Sequence, residues 1–319
     1  MKRIIIYTGV IVTITFLLPL ILTKRFDTTE VDVDETQMQI NNVEDIEKME
    51  YQYSSYGTIK LLHNSTGEIE DISIDEYLLG VVSAEMPADF EMEALKAQAI
   101  VARTYTIYTI KNSQKHENVD ICDDSTCCQA WISKDDRLDR WDEDKRDSNW
   151  EKIAEAVYST QGKIITYNGE AIDAFFHSNS GGKTEEVSNV WGGTDMPYLQ
   201  SVETSGEDEY SQYLSEAIFT KEEFENKIKE KHSDFSIDYA DSECIKVVEY
   251  TNGDRVKTIK VGNLNLSGVE VRTLLGLRSA NFSVEISENE IKFTVKGYGH
   301  GVRNESNWCK YISRARKFM

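Results

Sequence analysis

The chain has 319 residues, of which 56 are Asp or Glu and 35 are Lys or Arg, giving a formal charge of −21. A surface that negative repels nucleic-acid phosphates and anionic lipid headgroups, which argues against nucleic-acid binding and against electrostatic adhesion to a membrane surface; an uncharged polymer such as a sugar chain is tolerated. A hydrophobic content of 40% with 16 tyrosines indicates a folded chain with a sizeable core.

Lys2 and Arg3 precede a mostly apolar run from Ile4 to Leu22, and Lys24 and Arg25 follow it. A helix of that length, at about 1.5 Å per residue, nearly matches a hydrocarbon core of about 30 Å. The run is long for a signal peptide and ends in Ile21-Leu22-Thr23 without a small-x-small cleavage site, so residues 1–23 are expected to be a retained transmembrane anchor. Basic residues on both flanks weaken the positive-inside signal. The acidic stretch Asp27 to Glu47 suggests that the C-terminal side lies outside the cytoplasm. Residues 24–50 read as a polar stalk.

The folded region begins near Tyr51. Gly57–Leu62 and Ile69–Ile74 read as strands about a turn, and Asp75–Val82 as a further hydrophobic, strand-like run leading into Ser83-Ala84-Glu85-Met86-Pro87. Residues 91–112 form the best helix, with Ala94, Leu95, Ala97, Ala99, Ile100, Ala102, Ile107 and Ile110 making a wide apolar side that predicts burial. Residues 113–149 are polar and irregular. A helix over about 149–160 precedes strands at Lys163–Tyr167 and Ala171–His177, joined at Asn168-Gly169. A Gly-rich segment, Ser178–Gly193, follows. Composition shifts near Glu203, and residues 206–282 carry a helix at Thr220–Glu230, two strands around Asn252-Gly253 and a short helix at Ser267–Leu275. Ile291–Val295 is a last strand before Gly297-Tyr298-Gly299-His300-Gly301.

The expected fold is α+β. A mixed main domain (51–205, returning in strands at 283–302) surrounds the buried helix, and a smaller α/β domain is inserted at 206–282. Residues 303–319 form an atypical tail.

Four groups of residues can carry chemistry. Glu85, beside apolar Met86 and Pro87, can hold a proton near neutral pH if burial disfavours its charge, as a departing glycosidic oxygen requires. An exposed glutamate near a helix start would read the same way. His116, Cys122 and Cys128, with Cys127 adjacent, offer the imidazole and thiolates that zinc prefers; a disulfide or free thiols are the alternative. Cys244 reads as a buried apolar residue. His177, Ser178, Ser180, Gly181, Gly182 and Thr184, followed by Trp191, make a backbone-rich surface with an aromatic that can stack on a sugar, or else a plain loop. Gly182-Lys183-Thr184 ends like a phosphate loop, but the upstream glycine is replaced by His177. His300 sits in a glycine-rich turn.

Four stretches, GVVSAEMPADFEMEALKAQAIVARTY, DICDDSTCCQAW, AFFHSNSGGKTEEVSNVWGG with PYLQSV, and KGYGHGV, together resemble the stage II sporulation protein D family, which also takes in the amidase enhancers. The resemblance spans roughly residues 55–302 and implies a lytic transglycosylase acting on peptidoglycan glycan strands stripped of stem peptides. It places the catalytic glutamate on Glu85, with Arg103 and Tyr105 able to reach the glycan; helix packing is their alternative role. It also implies a structural Zn2+ held by His116, Cys122 and Cys128, with Cys127 a possible fourth ligand. Further implications are a cell-wall amidase and membrane proteins of the engulfment complex as partners, and a single-pass location in the cell membrane facing the space between mother cell and forespore. A non-catalytic glycan binder that stimulates an amidase is the alternative. A zinc hydrolase of wall peptides would want an HExxH-like motif, which is absent. A lysozyme-like hydrolase would need a second carboxylate such as Asp89, which could equally cap a helix.

Family members continue past the GHGV motif with a segment like Gly-Met-Ser-Gln. Here the chain runs Arg303-Asn304-Glu305-Ser306 and on to Met319, a tail with five Lys or Arg among its seventeen residues. A one-base shift near the codon for Val302 restores the family-like continuation when AT-rich codons are chosen, so a frameshift is the expected origin of the tail.

Overall fold

The computed structural model describes residues 57–112, 115–194, 196–211 and 213–302. The expected anchor (1–23), stalk (24–50) and atypical tail (303–319) lie outside the described residues. Among the described residues no helix is long and apolar enough to cross a membrane.

Strands β1 (Thr58–His63) and β2 (Glu68–Ser73) form an antiparallel hairpin in register from Thr58↔Ser73 to His63↔Glu68. Alternation along β1 buries Ile59 and Leu61. The chain then enters helix α1 (Ile74–Glu85) through a capping box. The Ser73 hydroxyl accepts from the Glu76 amide at 3.2 Å, and the Glu76 carboxylate accepts from the Ser73 amide at 3.4 Å. The strand-like reading of 75–82 is therefore corrected to helix. Residues 77–83 are all buried, so the run is apolar around its circumference and shows no helical period.

Helix α2 (Met92–Asn112) is the expected buried helix. The region taken as irregular contains strand β3 (Ile121–Cys122), parallel to β1, and helix α3 (Lys134–Asp139), capped by Ser133. Helix α4 (Arg146–Tyr158) packs with α1 and α2 around the first core, which includes Tyr77, Leu78, Leu95, Ala102, Ile153 and Val157. Strands β4 (Thr166–Tyr167) and β5 (Glu170–Ala171) make the expected Asn168-Gly169 hairpin, with φ of 53° and 79° at the turn, but the expected strands at 163–167 and 171–177 are cut to two residues each. A short helix, α5 (Val187–Trp191), follows.

A second core is built from β6 (Leu214–Thr220), α6 (Lys221–Lys229), β7 (Ile245–Tyr250), β8 (Val256–Val261), β9 (Leu264–Ser267), α7 (Gly268–Leu275), β10 (Asn281–Ile286) and β11 (Glu290–Lys296). The sheets run β10-β11-β6 and β7-β8-β9. Strands expected to return to the main domain at 283–302 instead complete the second core: β11 pairs with β6 from Glu290↔Thr220 to Lys296↔Leu214, and its alternate residues Ile291, Phe293 and Val295 are buried there. The return is made by residues 297–302, through the bridges Asn179↔Tyr298 and Glu185↔Val302. Cys244 is buried in this core, as expected.

Arg103, expected to reach a glycan, is fully buried on α2. Its guanidinium donates to Asp75 Oδ1 at 3.2 Å and to the carbonyls of Val157 (3.1 Å) and Thr160 (2.9 Å) at the C-terminal end of α4. It adds a donor to these helix-end carbonyls and ties α1, α2 and α4 together. Replacing Arg103 with Met should cost about 3–5 kcal/mol, because the buried Asp75 carboxylate would lose its guanidinium counter-charge. Urea denaturation measures this, and an unchanged midpoint would contradict the role.

Candidate active site and metal cluster

Pro87 disfavours helical backbone at the residue before it, and Met86 is accordingly extended at φ −125°, ψ 134°. Glu85 is thereby the last residue of α1. Its Oε1 accepts a hydrogen bond from the Ala130 amide at 3.0 Å. Burial raises the Glu85 carboxyl above its usual range, and the Ala130 bond offsets this only in part. The negative end of the helix dipole acts in the same direction as burial.

Residues 129–132 hold the Ala130 amide in place. Gln129 is buried and donates to the Tyr77 hydroxyl on α1 (3.2 Å) and to the Thr106 hydroxyl on α2 (2.9 Å). Trp131 lies against Gly80 of α1, where a Cβ would come within 2.2 Å of the indole nitrogen and 2.8 Å of the Ile132 carbonyl. Only glycine at position 80 lets this segment approach the helix so closely.

Glu85 lines an open groove of about 720 Å3, together with Asp89, Arg137, Arg140, Trp141 and Tyr210. Ser178 also lines it, so one expected binding residue does reach the Glu85 cavity.

His116, Cys122, Cys127 and Cys128 converge, with their ligand atoms all within 4.8 Å of one another. His116 Nε2 is 3.5 Å from both Cys127 Sγ and Cys128 Sγ, and those sulfurs are 3.9 Å apart. A disulfide needs about 2.05 Å, and the described cysteines are free. A tetrahedron with Zn–S bonds of about 2.3 Å has sulfur–sulfur edges of about 3.8 Å, so the donor set and its spacing fit zinc. Cys122 is positioned by the β1–β3 pairing (Leu62↔Cys122), while the Asp124 carbonyl accepts the amides of Cys127 (3.1 Å) and Cys128 (2.7 Å). Burial, reinforced by the neighbouring thiols, pushes the Cys128 thiol up to about 12; a cation among the sulfurs reverses that preference. Lys115 donates to the Cys127 carbonyl at 2.7 Å and to the Tyr105 hydroxyl at 3.1 Å. Tyr105, expected at the glycan, is thus a buried neighbour of the cluster.

The other expected binding residues serve a buried junction between the two cores. Ser180 donates to the buried Glu207 carboxylate (2.6 Å), and the Gly182 amide donates to the same carboxylate (2.9 Å). Thr184 is buried, and its hydroxyl accepts from the Val202 amide at 2.8 Å. Gly181 has φ +79°, and a Cβ there would sit 3.1 Å from the Lys296 backbone. Arg255, buried beneath, donates to the carbonyls of Ser180 (2.8 Å), Lys183 (3.0 Å) and Gly253 (2.9 Å). These groups are spent inside the protein, which corrects the reading of Ser180, Gly181, Gly182 and Thr184 as a ligand surface.

His177 is buried beside His300, their rings 5.5 Å apart. His300 donates from Nε2 to the Phe176 carbonyl (2.9 Å) and accepts at Nδ1 from the Val302 amide (3.1 Å). Burial holds it down to about 4, so it stays neutral near pH 7 with both nitrogens engaged. It is a structural histidine rather than a substrate ligand. Trp191 packs on His300 at 4.8 Å yet remains half exposed, outside the residues that line the groove.

Sequence reasoning missed Gly80, Gln129, Ala130, Arg137, Arg140, Trp141 and Tyr210. A backbone amide and a helix-packing glycine leave no chemical signature in a single sequence.

A family model described as "Stage II sporulation protein" matches residues 63–167, a span that holds Glu85 and the His116–Cys122–Cys127–Cys128 cluster. The stage II sporulation protein D of Bacillus amyloliquefaciens is 33% identical over 82% of this chain and 74% of its own length. Its counterpart in Bacillus subtilis gives the same figures, 33%, 82% and 74%. The amidase enhancer of Bacillus subtilis is 29% identical over 70% of this chain and 36% of its own length.

Gly80→Ala should destabilise the fold by about 1–3 kcal/mol through overpacking, and should speed hydrogen exchange at the Ala130 amide as the 129–132 segment is pushed off α1. Native-state exchange measures both, and an unchanged Ala130 rate would contradict the positioning role.

Proposed function

Because the chain belongs to the stage II sporulation protein D family, we propose that it is a lytic transglycosylase that cleaves peptidoglycan glycan strands during sporulation, with Glu85 as its acid and base. The observation that carries this reading is a carboxyl whose charged form burial disfavours, at a helix end, lining an open groove of about 720 Å3. Protonated Glu85 gives its proton to the oxygen linking N-acetylmuramic acid to N-acetylglucosamine as that bond breaks. The resulting carboxylate, held by the Ala130 amide, takes the proton of the muramoyl 6-hydroxyl as its oxygen attacks the anomeric carbon. A 1,6-anhydro ring closes and Glu85 is protonated again. The nucleophile belongs to the substrate, so one enzyme carboxyl suffices.

The reading extends to the rest of the chain. His116, Cys122, Cys127 and Cys128 would hold a zinc ion that orders the polar loop around them. Residues 4–22 would anchor the protein in the cell membrane, with the folded region between mother cell and forespore, beside a wall amidase and membrane proteins of engulfment. The likeness to an amidase enhancer supports the wall-amidase connection. Asp89 in the same groove supports a second reading, a hydrolase in which it would activate water.

The product end group separates these readings. Full-length protein incubated with peptide-stripped glycan should yield anhydro-muramoyl ends by mass spectrometry. Glu85→Gln should reduce their formation by about 10²–10⁴-fold. Its melting temperature at neutral pH should be no lower, because a raised carboxyl pKa opposes folding once pH exceeds the folded-state value. Reducing ends would instead establish the hydrolase, and binding without cleavage would establish a glycan-binding enhancer.

Purified protein should carry about one zinc per chain. Chelation, or Cys128→Ser, should lower the melting temperature and loosen the Ala130 amide. A metal-free protein with the same melting curve would contradict the metal assignment.

A further inference from the structure

Arg137 and Arg140 stand three residues apart, Arg137 on the short helix α3 and Arg140 at its C-cap, and both line the Glu85 groove. Among the described residues neither takes part in an ion pair, although the chain as a whole has 21 more acidic than basic side chains. Their neighbours are otherwise engaged: Lys145 pairs with Asp142 at 3.1 Å, and Asp139 with Arg146 at 3.7 Å. The Arg137 guanidinium is fixed over the Trp141 ring at 4.8 Å, and its Nε is buried without a hydrogen-bond partner among the described residues. Burial and the charge of Arg140 both disfavour its protonated form. A stacked, preoriented guanidinium beside a second cation, with no internal counter-charge, is an arrangement that an anion relieves. Of the other charged groups on the groove wall, Asp142 and Lys145 pair with each other, Asp89 compensates one of the two arginines at most, and burial disfavours the charge of Glu85.

We propose that Arg137 and Arg140 form a carboxylate subsite beside Glu85 that reads the free lactyl carboxylate of a muramoyl residue and so selects glycan whose stem peptide has been removed. The inference rests on the glycan-cleaving reading above. On a bare glycan strand the lactyl group carries the only negative charge. When a stem peptide is attached, that carboxyl is an amide, and the remaining carboxylates lie further out along the peptide. A planar guanidinium can bind a carboxylate through two parallel N–H bonds, whereas an uncharged N-acetylglucosamine residue gives it nothing equivalent.

The test uses full-length protein carrying Glu85→Gln, so that binding is read without cleavage. Its affinity is measured for a peptide-stripped glycan oligomer, the same oligomer with its carboxyls reduced to alcohols, a peptide-bearing oligomer, and a chitooligosaccharide of equal length. The stripped oligomer should bind most tightly. Adding Arg140→Gln, which changes an exposed side chain, or Arg137→Lys, which keeps the charge but removes the fork, should weaken that binding about tenfold or more. Binding of the reduced oligomer and the chitooligosaccharide should not change. Equal affinity for the acid and reduced oligomers, or arginine variants that bind the acid like the parent, would overturn the subsite and leave the glycan reading standing. Tightest binding of the peptide-bearing oligomer, lost in the arginine variants, would overturn the lactyl assignment in favour of peptide carboxylates. Failure to bind any of the four would remove the glycan reading and the subsite together.

Discussion

The hydrogen bond from the Ala130 amide to Glu85 joins two parts of the chain that the first core has to hold in register. On one side, Pro87 ends α1 so that Glu85 is its last residue. On the other, Ala130 follows Cys127, Cys128 and the buried Gln129. Gly80 lets Trp131 close against α1, Gln129 spans to both α1 and α2, and Arg103 ties α1, α2 and α4 together. A half-buried carboxyl held by one amide at the wall of a groove has its charged form disfavoured, the direction of shift that a general acid needs.

The same bond links Glu85 to the segment that carries the thiol–imidazole cluster. The cluster fixes Cys128, which stands two residues before Ala130. Ser178, Tyr210 and Ser211 also line the groove. They sit near the buried junction in which Ser180 donates from its hydroxyl to Glu207 and accepts at its carbonyl from Arg255. Two polar assemblies thus stand next in sequence to groove or Glu85-binding residues, a thiol–imidazole cluster before Ala130 and a network of Ser180, Glu207 and Arg255 near Ser178 and Tyr210. Unsatisfied, either would carry a large desolvation cost, so each is well specified once formed.

Where chemistry was legible in the sequence, it was carried by residue types with few alternative roles. The four His and Cys residues converge as their spacing and type suggested, and Glu85 lies on a groove. Helix α1 was misread because a segment buried on all sides loses its period, although the Ser73-x-x-Glu76 capping box marks its start. The hydroxyls and glycines of 178–184 were read as a ligand surface, yet the same residue types satisfy a buried junction, and one sequence cannot tell the two uses apart. Arg137 and Arg140 look like an ordinary solvated helix face until the structure places both on the groove with no carboxylate among the described residues in an ion pair with either. The strands after Asn281 were assigned to the wrong core because strand pairing with β6 is a long-range choice that local alternation does not encode.

The most direct measurement is a carbon-13 NMR titration of the Glu85 side-chain carboxyl in the full-length protein, assigned by comparison with Glu85→Gln. The account predicts a midpoint clearly above the ordinary glutamate value of about 4.3, displaced further upward when the Ala130 amide is loosened by Gly80→Ala. A midpoint at or below the ordinary value would show that the charged form of Glu85 is not disfavoured, and would contradict the role of acid proposed for it.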